Sequence, residues 1–354
     1  MVLDIILNNA RKTPVRLDLG AVAGLIAKVQ LPSGEIPWHL GGKTDPWDHV
    51  EAAMGLTVGG YWEQARQAYQ WLAEVQLEDG SWYAAYCNGV ANDLTRNSNF
   101  SAYVAVGLYH YYLSTGDMDF LERIWPTIRS AIDFSLSLQA PGGEIYWAIS
   151  PDENVDQMAL LAGSSAIYMS LKCALAITAL LDKDIPPWQT AMNRLAQAIR
   201  HRPQHFNMTK SRFSMDWFYP ILSGVLKGNV AHRRIHRFWK KFVIKGEGVR
   251  CVSDKPWITV AETAELVLTL EALGNRDQAR IVFDWICNRR FSDGTYWCGF
   301  GVPDLEIWPT EKVTWTNAVM LLAADSLYDL TPGGQLFRHR FWAGGPSREP
   351  QSPR

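Results

Sequence analysis

Val29-Gln-Leu-Pro-Ser-Gly-Glu-Ile-Pro-Trp38 shares its frame with Val75-Gln-Leu-Glu-Asp-Gly-Ser-Trp82, Leu138-Gln-Ala-Pro-Gly-Gly-Glu-Ile-Tyr-Trp147 and Arg289-Arg-Phe-Ser-Asp-Gly-Thr-Tyr-Trp297. In each a Gln, once replaced by Arg, precedes a Gly by four residues, and a Trp follows within four more. Each unit comes after a stretch of helical apolar spacing. Recurrence of this kind marks one supersecondary element used repeatedly around a shared core.

Working outward from these corners, apolar periodicity predicts twelve helices: 15–30, 46–58, 61–77, 98–113, 118–139, 157–181, 187–201, 214–226, 230–244, 257–273, 276–289 and 313–329. No alternating strand series with hairpin turns separates them, so the expected class is all-α. The connections alternate in length. Short turns at 59–60, 114–117, 182–186, 227–229 and 274–275 alternate with long loops at 31–45, 78–97, 140–156, 202–213, 245–256 and 290–312. Antiparallel helices joined this way put every long loop at one end, which is the end expected to carry function.

The chain has 354 residues, 47% of them hydrophobic, and no Pro/Gly/Ser-rich linker divides it. One domain over 1–334 is expected, with 335–354 a polar, dispensable, disordered tail. A net charge of −2 gives no global field for nucleic acid or an anionic membrane. Five cysteines without a C-x-x-C pair argue against a disulfide framework or a zinc knuckle and suit a reducing compartment. Neither a leader pattern nor a membrane-spanning apolar run is evident, so a cytoplasmic location is expected.

Sixteen Trp are the most unusual count, and many adjoin Gly, Pro or acidic residues rather than lying within apolar stripes. Such indoles are candidate platforms for sugar faces or for a cation, or else plugs at the ends of the helical barrel. Trp38, Trp147, Trp297 and Trp308 stand in the long loops and Trp47 just after one, interleaved with carboxylates. Helix N-termini converge on the same end, favouring oxygen-rich or anionic ligands.

Asp45-Pro46-Trp47-Asp48 reads equally as a helix cap and as a ligand-binding corner. Asp48 and Glu51 share one helical face, and Glu262 and Glu265 repeat their spacing, as cavity lining or a buried salt link. His39 and His49 flank Asp45 and Asp48, but too few further ligands stand nearby for a metal, and none is predicted. Lys210-Ser211-Arg212 could hold an anion at a helix start or be a solvated loop. The run Arg233, Arg234, Arg237, Lys240, Lys241 reads as a solvated face.

The chain resembles the α/α toroids, in which six outer and six inner helices alternate around an axis. Ser114-Thr-Gly-Asp-Met-Asp-Phe-Leu-Glu-Arg-Ile-Trp-Pro126 and Val313-Thr-Trp-Thr-Asn-Ala-Val-Met-Leu-Leu-Ala323 are similar to six-hairpin glycosidases of the glucoamylase type, whereas the Gln/Gly/Trp corners are also similar to terpene cyclase and prenyltransferase toroids. The resemblance implies an (α/α)6 toroid over roughly 15–330. Its glycosidase branch implies an inverting glycoside hydrolase with the acid in the third long loop, the base in the last and a substrate-binding Asp in the first. Inversion uses two carboxyls roughly 6.5–9.5 Å apart. Acid candidates are then Asp152, Glu153 and Asp156, with Glu144 behind them, and base candidates Glu306 and Glu311. Substrate would be held by Trp38, His39, Asp45, Trp47, Asp48, Trp147, Trp297 and Trp308. Glucoamylases place the acid Glu directly after a Trp, whereas Ala148 follows Trp147 here. The implied ligand is a saccharide or glycoconjugate, with no cofactor. An isoprenoid-converting enzyme is the alternative, although neither Asp-x-Asp-Asp nor Asp-Asp-x-x-Asp occurs. A non-catalytic toroid that binds a glycan is the third reading.

Overall fold

The Gln of each corner reaches two carbonyls, and the second belongs to the next hairpin. In the computed structural model, which describes residues 4–7 and 15–344, Gln30 donates to Gly34 O and Gln64 O, Gln76 to Gly80 O and Thr127 O, and Gln139 to Gly143 O and Ala191 O. The glycines serve the same joint. Gly34, Gly80 and Gly143 have φ of 98°, 88° and 98°, and a Cβ there would lie 2.2–2.5 Å from a carbonyl oxygen of the neighbouring outer helix. The corner is therefore a docking device between successive outer helices.

Those helices are α1 (Leu19–Ala27), α3 (Trp62–Val75), α5 (Met118–Ser137), α7 (Pro186–His201), α9 (Gly228–Phe242) and α11 (Arg276–Ile286). The inner ones are α2 (Pro46–Val58), α4 (Ser98–Thr115), α6 (Leu161–Leu180), α8 (Ser214–Leu222), α10 (Val260–Ala272) and α12 (Thr314–Tyr328). Each inner helix packs on the next, and α12 returns to α2, closing the ring of an (α/α)6 toroid. Inner helices are buried around their circumference, because both the neighbouring inner helices and the outer layer cover them. Outer helices are amphipathic: α9 buries Ala231, Ile235 and Phe242 and turns Arg233, Arg237, Lys240 and Lys241 outward. Arg234 departs from that face, donating to the backbone carbonyls of Asp216 and Trp217. By length and composition α6 could cross a membrane, but here it is an inner helix with 78% of its apolar window buried.

Strands that periodicity does not predict occupy the long loops: β3 (Tyr83–Cys87), β4 (Val90–Asn97), β5 (Tyr146–Ile149), β6 (Val155–Ala159), β7 (Val243–Ile244), β8 (Gly248–Arg250), β9 (Trp257–Thr259) and β10 (Gly299–Gly301), while β1 (Asp4–Leu7) pairs with β2 (Val15–Asp18) before α1. They shorten several expected helices at their starts, since β2, β6 and β9 run directly into α1, α6 and α10. Their effect is to tie the loops into a closed ring. Thr44 bridges Tyr86, β4 pairs with β5, Asn207 N donates to Ala159 O, Phe213 bridges Val252, β9 pairs with β10, and Thr314 N donates to Trp38 O. All six long loops thus stand at one pole.

Part of the stretch expected as a tail is packed. Leu336, Phe337 and Arg338 are buried, His339 reaches Ile221 O, and Trp342 lies against Tyr109. Two apolar side chains and a guanidinium shared by Asp329 and Glu271 hold residues 335–344 on the toroid; residues 345–354 lie outside the described residues.

Candidate active site

Asp45 fixes the first corner of the site. Its Oδ1 accepts from Asp48 N at 3.0 Å and caps α2, Pro46 occupies the first helical position, and Oδ2 accepts from Trp38 Nε1 at 2.6 Å. Both oxygens are therefore committed to positioning. Lys43 Nζ stands 4.2 Å from the centre of the Trp38 ring.

Inside the ring of loops a cavity of about 360 Å³ opens over the N-terminal turns of the inner helices. Five carboxyls line it: Asp45, Asp48 and Glu51 from the start of α2, and Glu262 and Glu265 from the start of α10. Between them stands α12, contributing Trp315 and Val319, while Trp38, Trp47, Phe100, Leu160 and Met215 make much of the remaining wall.

The acids occupy two levels. Asp48 and Glu262, in the first turns, are half-buried, whereas Glu51 and Glu265, three residues further along each helix, are buried. Glu51 accepts from Trp47 Nε1 at 3.0 Å and from Tyr103 OH at 3.4 Å; Glu265 accepts from Tyr219 OH. Glu262 lies beside Cys251, and its Oε2 is buried without a hydrogen-bond partner among the described residues. Burial, then repulsion from Asp45 and Glu51, holds Asp48 well above the ordinary Asp range. Burial likewise pushes Glu51 up to about 8, against the donors from Trp47 and Tyr103, and holds Glu265 well above its usual value. Asp216, on α8, braces the wall by accepting from Ala162 N, and burial raises it to about 6.

The loop carboxyls expected to be catalytic are not brought to this cavity. Asp152, Glu153 and Asp156 lie exposed on the β5–β6 hairpin, with Glu153 paired to Arg96. Glu144 is paired to His205 at 2.7 Å. Glu306 and Glu311 are exposed in the last loop. The reason is local: these loops fold into hairpins that turn their tips to solvent, while the helix starts beneath them face the axis.

Of the expected binding residues, Trp38, Asp45, Trp47 and Asp48 line the cavity. His39 is half-exposed beside Leu40 O and outside it. Trp147 and Trp297 are partly buried, Trp297 edge-on to Phe300. Trp308 stands on the rim, 65% exposed, with Trp257 against it. His49 accepts from Ile36 N and donates to Ala68 O, so both ring nitrogens are used in the core. Arg212 is paired bidentately with Asp254. The first-turn carboxyls that the fold brings into one cavity, Asp48 and Glu262, carry a signal in the sequence: the same three-residue acid spacing at the start of two inner helices.

No protein-family model matches the chain. A curated relative from Mycolicibacterium hassiacum, named MMP endo-(1,4)-3-O-methyl-alpha-D-mannosidase, is 49% identical over 316 residues, covering 89% of this chain and 88% of the relative. The chain belongs to that mannosidase's family. It is a glycoside hydrolase. Solved structures share the fold at low identity. A wild-type glycosidase superposes with a TM-score of 0.67 at 17% identity over 89% of this chain and 97% of its own. The GH63 mannosylglycerate hydrolase from Thermus thermophilus, in complex with glucose, gives 0.67 at 12% identity over 85% and 98%.

Proposed function

We propose that this glycoside hydrolase cleaves internal α-(1→4) bonds between 3-O-methylated mannosyl units, with inversion, using Asp48 as general acid and Glu262 as general base. The observation that carries the reading is the pair of first-turn carboxyls from α2 and α10 in one cavity. Asp48, raised by burial and two neighbouring acids, is suited to hold a proton for the leaving oxygen. Glu262 has a buried oxygen without a hydrogen-bond partner among the described residues and is suited to orient and deprotonate water. The name of the 49%-identical relative supports the substrate class, and so does the wall: Trp38, Trp47, Phe100, Leu160 and Met215 can receive methyl groups that a hydroxyl-lined site would not. Trp308, exposed on the loop pole, supports an outer platform for a further sugar ring. Five free cysteines agree with action in a reducing compartment.

The test is digestion of an α-(1→4)-linked 3-O-methylmannan beside its unmethylated counterpart, followed by proton NMR. Internal cleavage of the methylated chain with β-configured new ends is expected. Equal cleavage of both chains sinks the methyl specificity, and α-configured first products sink inversion.

A further inference from the structure

Beneath the proposed acid and base, Glu51 and Glu265 form a second pair with no role in that chemistry. Both are buried, and neither is ion-paired with a cation among the described residues. Each commits one oxygen to the protein. Glu51 Oε1 takes Trp47 Nε1 and Tyr103 OH, and Glu265 Oε1 takes Tyr219 OH, while neither Oε2 has a hydrogen bond among the described residues.

Five acids share this cavity, and Lys43, beside Asp45 and Asp48, is the cation whose charge reaches that end of it. Around the lower pair stand Asp45, Asp48, Glu262, Tyr103, Tyr219 and Cys251, none of them a cation. A buried carboxylate without a counter-charge takes up a proton instead. The upward displacement of both groups agrees with that. A neutral carboxyl whose carbonyl oxygen is already filled carries its proton on the other oxygen and acts there as a donor.

We propose that Glu51 and Glu265 bind the sugar as O–H donors to its ether oxygens, and that this selects methyl ethers over free hydroxyls. The inference rests on the methylmannoside reading above and adds the groups that would enforce it. An ether oxygen can only accept. A hydroxyl in the same place brings a proton that needs an acceptor: Glu51 Oε1 already accepts twice and Glu265 Oε1 once, Trp47, Phe100, Leu160 and Met215 offer none, and the remaining carboxyls, Asp48 and Glu262, stand one helical turn away and are engaged in the proposed chemistry. Leaving that proton unpaired in a buried site is penalised, whereas the methyl group gains apolar contact.

The test measures, by calorimetry on the full chain, dissociation constants for methyl 3-O-methyl-α-D-mannopyranoside and methyl α-D-mannopyranoside. Wild type should prefer the ether about tenfold. Glu51→Gln and Glu265→Gln, whose amides keep a donor in place of the O–H, should hold that preference within about threefold. Glu51→Leu and Glu265→Leu should lose it, with melting temperatures confirming that they are folded. Leu variants that keep the preference, or Gln variants that lose it with them, overturn the donor role while leaving the substrate class standing. A wild type indifferent to the two sugars overturns the substrate reading, and this proposal with it. Infrared spectra at pH 7 give a readout free of both sugars: a protonated-carboxyl C=O band that vanishes in Glu51→Gln is expected, and its absence overturns the donor role.

Discussion

Trp47 lies flat on Tyr103, ring centroids 4.0 Å apart and planes 6° from parallel, and both rings aim a donor at the same oxygen of Glu51. The stack joins α2 to α4 and fixes the floor of the cavity, so the cavity-facing surface of Trp47 cannot rotate without breaking the hold on Glu51. Trp47→Ala is expected to raise KM at least tenfold and to lower stability by about 3–5 kcal/mol. Steady-state kinetics and urea unfolding check the two effects. An unchanged KM would remove Trp47 from the substrate site.

The proton on Glu51 links stability to pH. Its ordinary value of 4.5 is raised to about 8 by burial, so the folded state binds the proton more tightly than the unfolded one. The associated stability is fully present below about 4.5 and is lost progressively as pH climbs toward 8. Glu51→Gln should abolish this share of the loss and be more stable than wild type at pH 8, on the order of 1–3 kcal/mol. Urea titrations at pH 5 and pH 8 measure it; identical pH dependence in both proteins contradicts the assignment.

Asp48 and Glu262 should fail in different ways. Asp48→Asn is expected to lose about 10²–10⁴-fold on a mannan but far less on a mannoside with an activated aryl leaving group, which needs no acid assistance. Glu262→Ala should be inactive on both and be revived by azide, giving the β-glycosyl azide. Rescue of the Asp48 variant in place of the Glu262 variant would exchange the roles.

Two corner glycines separate conformation from contact. At Gly80, φ is 88° and a Cβ would lie 2.2 Å from Ser130 O; at Gly294, φ is 92° and nothing lies within 4 Å. Gly294→Ala should cost about 1–2 kcal/mol for the left-handed backbone alone. Gly80→Ala should cost more, about 3 kcal/mol or above, because a helix must also be pushed away. Comparable melting temperatures for the two variants would contradict a docking role for the corner.

Truncation after Gly334 removes Leu336, Phe337 and the Arg338 guanidinium that reaches Glu271 and Asp329. A loss of several kcal/mol is expected, since two apolar side chains and a buried charged partner go together. A melting temperature equal to that of the full chain would show the segment to be dispensable after all.

The twelve helices, their alternation and the pole that carries the long loops were legible because apolar periodicity and loop length are local properties of the chain. So was the Asp48/Glu51 corner, whose cap, proline and acid spacing lie within seven residues. The strands were not legible: Val155–Ala159 and Trp257–Thr259 are short and run into helices; the first pairs with Tyr146–Ile149 of its own loop, and the second lies between Gly248–Arg250 of its own loop and Gly299–Gly301 of the next. The loop acids Glu153 and Glu311 read like catalytic groups by position, yet a hairpin turn and a loop tip expose them.

What the sequence by itself determined is the toroid and the pole of its site, since both follow from periodicities that each segment carries alone. Which carboxyls meet was decided only by closure of the ring. Glu262 is more than 200 residues from Asp48 in the chain, and it comes to share a cavity with it because α12 packs between α2 and α10. Their charge states were decided there too, because a carboxyl's proton affinity depends on burial and on neighbours that no local stretch of sequence contains.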